Sequence, residues 1–471
     1  MAEDNTADSQ LKSPAFKLSA YLEAPVSVAS LAVFRICFSI SMIALVIEYF
    51  REGWVDILSS NFHFTFFPGV VPLHGVGLHM HLWAIAILAF MLGIGFYYRA
   101  ACILLFFSYS WIFLCEKSIY QNHTYLICLL SLLFSLVDAH RLFSIDAHRL
   151  KLAPIVPRWQ VDLFRFQFLI VYFYSGLAKL NMDWLQGYPQ AAWITDRAAH
   201  PLVGPVLGPI VSSLFLQPWF VPLVTYGGIV IDLTAGFLLW WQPTFLPAAV
   251  VLCVFHLLNS SLFSIDIFPF FMIATLGIFA REDWPLKFAQ RCKISCPAVS
   301  PSVKLKKTQP LLICFVYLYI AVQVLVPLRR FLYPGDTSWT EQGQRFAWRM
   351  MLREKDCKGF KMIFVNPETG MNGVVEPEFS MTPLQVQNMR VIPDMILQYA
   401  HAVAAGLEGD LGFRPIVRVQ SLVSLNGRPA QDLIDRTVDL AATPISFWPA
   451  KWILPLKESR ARLHNGALDR K

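Results

Sequence analysis

Charge is what this sequence has little of. Only 15% of its 471 residues are Asp, Glu, Lys or Arg, against about 25% in a soluble domain. Hydrophobic residues make up 56%, and phenylalanine alone occurs 38 times. That balance excludes a soluble domain with a large core and predicts a polytopic membrane protein. The first 26 residues, "MAEDNTADSQLKSPAFKLSAYLEAPV", hold no apolar stretch of the kind a signal peptide needs. The first membrane helix is therefore expected to act as its own insertion signal. No internal repeat is apparent, which argues against the inverted halves of a secondary transporter. P-loop, nucleotide and zinc patterns are missing. The nine cysteines fall mostly inside apolar stretches or a basic loop, with Cys357 clearly outside them, so a disulfide scaffold is not expected. Cys292 and Cys296 have no histidine nearby to complete a metal set, and metal ligands are expected nowhere in the chain. The net charge of +7 suits loops lying on anionic lipid and predicts no nucleic-acid partner.

What is present is apolar and long. Hydropathy predicts nine spans, near 28–49, 78–97, 100–117, 122–137, 164–180, 218–240, 244–260, 262–280 and 309–327, the seventh and eighth turning around "NSS" (Asn259 to Ser261). The segment 281–307 carries seven basic residues, Arg281, Lys287, Arg291, Lys293, Lys304, Lys306 and Lys307, and the short segment 138–162 is basic as well. Both are expected in the cytoplasm. Nine spans then place the N-terminus inside and the C-terminus outside. After Arg330 the composition turns mixed and polar, with short alternating runs such as "FKMIFV" and "PIVRVQSLV". The expected fold class is an α-helical polytopic membrane protein of about nine transmembrane helices with a C-terminal α+β extracytoplasmic domain. Its expected divisions are a cytoplasmic segment (1–27), a transmembrane domain (28–327) and an extracytoplasmic domain (328–471), with 337–356 lying back against the membrane face.

Ionisable groups inside apolar spans are costly and mark candidate sites. Lys179 ends the fifth span, after "RFQFLIVYFY". At that position a lysine either snorkels to the headgroups as an anchor or serves as a catalytic base. The topology puts His123, beside Asn122 at the start of the fourth span, and His256, late in the seventh, at the outer level with Lys179. Tyr172 lies seven residues before Lys179 on the same helical stripe. Arg35 in the first span and Asp232 in the sixth share an inner depth and are expected to form a structural ion pair.

With those residues in place the chain resembles the vitamin K-dependent gamma-carboxylases, relatives of the HTTM-domain membrane proteins. The strongest match is "FLIVYFYSGLAKLNMDWLQGY" (Phe168 to Tyr188). "SLAVFR" (30–35), "NHTYL" (122–126), "IDLTAGFLL" (231–239), "FHLLNSSLFSI" (255–265), "EDWP" (282–285), "FAWRMM" (346–351) and "RTVDL" (436–440) follow in order, so the resemblance runs from about residue 25 to 460. It implies a peptidyl-glutamate 4-carboxylase-like lyase with coupled vitamin K epoxidase activity. The co-substrates would be reduced vitamin K (phylloquinol or menaquinol), O2 and CO2, and the partner a Glu-containing protein or peptide in contact with membrane lipid. Lys179 matches the base that deprotonates the hydroquinone, and His123 the histidine of the carboxylation half. Asn122, Tyr172, His256, Trp348, Met350 and Met351 match positions around the quinone and glutamate pocket. Two readings stay beside it: a quinol epoxidase without glutamate carboxylation, and a non-catalytic quinone- or lipid-binding membrane protein. The family's vertebrate enzyme has two adjacent lysines where this chain has Ala178 and Lys179, a histidine where this chain has Arg353, and a luminal disulfide and a longer C-terminal section without counterparts here. The short form implies a bacterial homologue in the inner membrane, or the endoplasmic reticulum for a eukaryotic one.

Overall fold

The computed structural model describes residues 14–199, 208–263, 267–294, 305 and 307–457. Residues 1–13, Cys296, Lys304 and Lys306 of the sequence argument lie outside them. Nine apolar helices follow the nine predicted stretches: α1 Ala29–Arg51, α2 Val76–Ile94, α3 Tyr98–Cys115, α4 Asn122–Leu136, α5 Trp159–Lys179, α6 Phe220–Trp240, α7 Gln242–Leu262, α8 Phe268–Phe279 and α9 Pro310–Leu328. Their ends are written in local chemistry. Gly95, at φ +63°, closes α2 in a left-handed turn that a side chain would strain. A capping box between Gln121 and Thr124 opens α4, and proline stands in the first turn of α7, α8 and α9.

Seven helices among the described residues are long and apolar enough to cross a membrane. The other two, α4 and α8, have 15 and 12 residues. At 1.5 Å per residue they measure about 22 and 18 Å, short of a hydrocarbon layer about 30 Å thick. The turn between α7 and α8 also differs from expectation. "NSS" stays helical to Leu262, because the Ser260 and Ser261 hydroxyls donate back to the Leu257 carbonyl and need no turn to be satisfied.

Apolar burial gives little drive inside lipid, so the bundle depends on close side-chain packing. Its centre is aromatic: the Phe34 ring of α1 lies 5.6 to 6.4 Å from Phe38, Phe134, Phe164, Phe168 and Phe271. These come from α1, α4, α5 and α8. One end of the bundle is tied by strands β1 (Pro25–Ser27) and β2 (Ile155–Pro157), paired antiparallel, and by Trp159 donating to Thr308. The C-terminal domain sits on the opposite end, where Asn388 donates to the Ser118 carbonyl and Lys117 to Gln398.

That domain holds a four-stranded antiparallel sheet ordered β4 (Asn372–Val375), β3 (Lys355–Val365), β5 (Ile416–Leu425), β6 (Gln431–Asp432). Helices α10 (Pro383–Met389) and α11 (Pro393–Leu411) cover it, burying Met389, Met395 and Ile396 against Val417, Val419 and Val423.

Candidate functional site

Two glycines set the α5–α6 crossing. A Cβ on Gly176 would lie 2.8 Å from the Leu233 backbone nitrogen, and one on Gly236 2.8 Å from the Leu169 Cα. Hydrogen in place of a side chain lets the two backbones touch there, as small residues do in membrane helix pairs. The contact brings Lys179 of α5 onto Asp232 of α6. The Lys179 ammonium donates to the Asp232 carboxylate and, at 2.8 Å, to the Ser175 hydroxyl. Ser175 in turn donates to the same carboxylate oxygen at 2.7 Å. Lys179 and Asp232 are 7% and 3% exposed, so this is a closed centre. Trp184 supplies an aromatic face 5.2 Å from the amine. Its indole is fixed by donation to the Thr225 carbonyl at 2.9 Å.

Lys179 therefore does not reach toward headgroups. Its Cε lies 4.0 Å from the Cβ position of Gly228, and roughly two turns of α6 precede that glycine. The expected Arg35–Asp232 pair is also corrected. Asp232 takes Lys179 instead, while Arg35 donates to four backbone carbonyls, of Ala139, Gly93, Leu142 and Phe143, at 2.9, 3.1, 3.3 and 2.5 Å. The planar guanidinium, with five donors, suits the carbonyls freed where α2 ends and the 139–143 segment turns.

The shared outer level is corrected for His256. His256 accepts or donates a 2.8 Å hydrogen bond with the Tyr172 hydroxyl, two helical turns below Lys179, about 10 Å along α5. The His123 ring stacks 5.1 Å from Phe268 on α8. It faces a small cavity of about 20 Å³, shared with Ser41 and Glu48 of α1. No described contact joins His123 to Lys179. The site thus has separate stations, one at the α5–α6 crossing and one between α1, α4 and α8.

A single segment, 342–352, roofs them. Asn122 donates to the Arg349 carbonyl at 3.1 Å, and the Phe346 amide donates to the Tyr120 hydroxyl at 2.7 Å. The Trp348 ring stacks 5.0 Å from Tyr125, within the core of the membrane bundle. Met350 packs on that core, Leu352 packs with Ala178 and Trp184 beside Lys179, and Met351 is exposed. The short α4 leaves the space that this segment fills. Phe346, Trp348 and Met351 hold φ of 60°, 55° and 53°, a left-handed backbone that costs energy for bulky residues and clusters at functional sites. Beneath the roof's far end, Lys355 bonds Glu341 and the Trp339 and Val391 carbonyls. Burial, with Arg353 adding to it, pushes its amine down to about 8 against the pull of Glu341. Arg353, where the related enzyme has histidine, pairs with Glu341 at 2.8 Å.

The segment after Lys179 is clamped to the second domain. Asp183 accepts from Asn426 at 2.8 Å and from both terminal nitrogens of Arg428, a fork matched to a carboxylate. The sequence missed Asp183, Ser175 and Glu48. Ser175 had a readable signal, since it lies four residues before Lys179 on the same face. Glu48 had one as well, as a charge inside the first apolar span, whereas Asp183 had none beyond being charged.

Residues 23–284 match the sequence model of the HTTM domain, and residues 308–459 match that of the vitamin K-dependent gamma-carboxylase, lumenal domain. No solved structure matches the chain. The two matches together cover both the bundle that holds Lys179 and the domain that roofs it, and the chain belongs to the vitamin K-dependent gamma-carboxylase family.

Proposed function

We propose that the protein couples oxygenation of vitamin K hydroquinone, phylloquinol or menaquinol, to carboxylation of glutamate side chains in a protein or peptide, with O2 and CO2 as co-substrates. The observation that carries this reading is the buried Lys179–Ser175–Asp232 centre beneath a strained roof. A glutamate γ-carbon is too weak an acid for any side-chain base, whose pKa reaches only about 10 for lysine; the reduced quinone supplies, with oxygen, the stronger base. Lys179 takes the hydroquinone hydroxyl proton. It acts as a neutral amine, and Asp232 offers its own proton a destination: transfer from Nζ to the carboxylate removes both charges at once, where charge is costly. Ser175 bridges the two and keeps them aligned.

The donor set fits a flat aromatic diol. Trp348 carries a buried Nε1 without a hydrogen-bond partner, within a wall formed by Tyr125 and Phe346. Trp348, Asn122, Met350 and Met351 would hold the ring and the glutamate from the roof side, and Tyr172 with His256 from below. His123 serves the carboxylation half from its own station. The two ends of the bundle and the loop charges support a cytoplasmic segment 1–27, a transmembrane domain 28–327 and an extracytoplasmic domain 328–471; the membrane would be the inner membrane for a bacterial protein and the endoplasmic reticulum for a eukaryotic one. Purified protein given reduced vitamin K, oxygen, labelled bicarbonate and a Glu-containing peptide tests the reading. Epoxide with label in the peptide is expected. Epoxide alone would replace it with quinol oxygenation only, and neither product with quinone or lipid binding.

A further inference from the structure

A second concave site lies at the other end of the bundle, away from the roof. It is a groove of about 930 Å³ between α1, α2 and the segment that follows α3 and α4. Its walls are apolar, with Ile40 and Ile43 from α1 and Phe90 and Ile94 from α2, and its mouth carries His148 and Arg149. Ile40 and Phe90 are 61% and 55% exposed, so the walls face outward, toward lipid. The volume is about thirty times the roughly 30 Å³ share of a water molecule, enough for acyl chains.

The mouth is built for a fixed positive charge. The Arg149 guanidinium lies 4.7 Å from the Tyr97 ring centroid and donates to Asp146 at 3.0 Å. Asp146 is buried, and its other oxygen accepts the Tyr98 amide at 2.9 Å. Asp146 thus orients the arginine from beneath and uses one of its five donors, while the remainder of the exposed group faces outward. Phe143, Ile145 and Leu150 are exposed around it, and His148, Arg149 and Lys151 are exposed among them. Apolar and basic side chains interleaved in one short surface segment are the pattern of contact with an anionic membrane surface.

We propose that this groove binds an anionic phospholipid, its acyl chains along α1 and α2 and its phosphate at Arg149 and His148. An isoprenoid quinone would fill the apolar walls but leave the cationic mouth unmatched, and a zwitterionic lipid would offset its own phosphate. The test is native mass spectrometry of the full chain, delipidated and then given phosphatidylglycerol or phosphatidylcholine of identical chains. Phosphatidylglycerol should be retained preferentially. Arg149→Gln should lower its retention about fivefold, the loss of one basic contact near a membrane surface. Ile40→Trp, at an exposed position, should lower retention of both lipids without changing thermal stability, and keeps the test open if Arg149→Gln folds poorly. Lys287→Gln, at an exposed lysine of the 284–291 helix outside the groove, should change nothing. Equal retention of the two lipids, equal loss in Lys287→Gln, or displacement of phosphatidylglycerol by menaquinone would each overturn the proposal.

Discussion

Arg35 and Lys179 are both cations buried in the membrane bundle, and their surroundings differ in kind. Arg35 faces four backbone carbonyls. Those oxygens cannot take a proton, and the guanidinium does not give one up. Its charge is permanent and its work is to hold the end of α2 against the 139–143 segment. Lys179 faces a carboxylate and a hydroxyl, both able to take part in proton transfer. The same formal charge is therefore a rivet at one place and a titratable pair at the other. A buried cation suggests chemistry when its partner can also change protonation state.

That contrast can be broken most severely at the amine. Lys179→Ala should lower epoxide and carboxylated product together by about 10²–10⁴-fold, the usual share of a positioned base, with a small added amine restoring part of both. Full epoxide formation without that amine would remove Lys179 from the chemistry. Asp232→Asn comes next. It should cost about 100-fold in turnover per folded molecule through a misplaced, unpaired amine, and about 3–5 kcal/mol of stability because the ammonium remains buried without its partner. Turnover unchanged after correction for folded protein would reduce the pair to a structural one. Arg35→Met should show the opposite profile: a similar loss of stability, as four carbonyls lose their donors, with turnover per folded molecule near that of the unchanged protein. Detergent melting curves read beside product per folded molecule separate the two profiles.

Smaller changes sharpen the comparison. Gly176→Ala puts a methyl group onto the α6 backbone and should cost about 1–3 kcal/mol, with a larger fractional loss of activity than Arg35→Met gives at equal stability. Lys355, outside the membrane, gives the mildest effect and a defined sign. Its folded value near 8 lies below the ordinary 10.5. Between those limits the unfolded chain binds more protons than the folded one, so this group makes stability rise with pH across the window and adds no slope below it. Lys355→Gln should flatten the rise in melting temperature between pH 8 and 10; an unchanged slope would contradict the assignment.

Much of the bundle was legible because hydropathy is a one-dimensional signal. All nine apolar stretches became helices, most of them within a few residues of expectation, and the polar change after Arg330 marked the second domain. Lys179 stood out as a charge in an apolar setting. Its partner did not, because depth along a span does not say which neighbour a side chain faces. Asp232 was assigned to Arg35 on depth alone, whereas the glycines at 176 and 236 decide which backbones meet. The carbonyls around Arg35 belong to backbone, which leaves no mark on residue type. The left-handed residues of 346–351 were equally hidden, since nothing in Phe, Trp or Met announces a positive φ.

The clamp on Asp183 has a consequence for how the protein is made. Asp183 stands four residues after Lys179, yet its partner Arg428 lies 245 residues further along the chain. A ribosome adding some 5–20 residues per second delivers the lysine at least ten seconds before the arginine that fixes the loop beside it. The bundle can be inserted and packed in that interval, with Trp184 already bonded to Thr225, but the Asp183 clamp on the loop beside its buried amine closes only once Arg428 has emerged. The surroundings of Lys179 are thus among the final parts of the nascent chain to be completed, although the lysine itself is among the earlier residues synthesised.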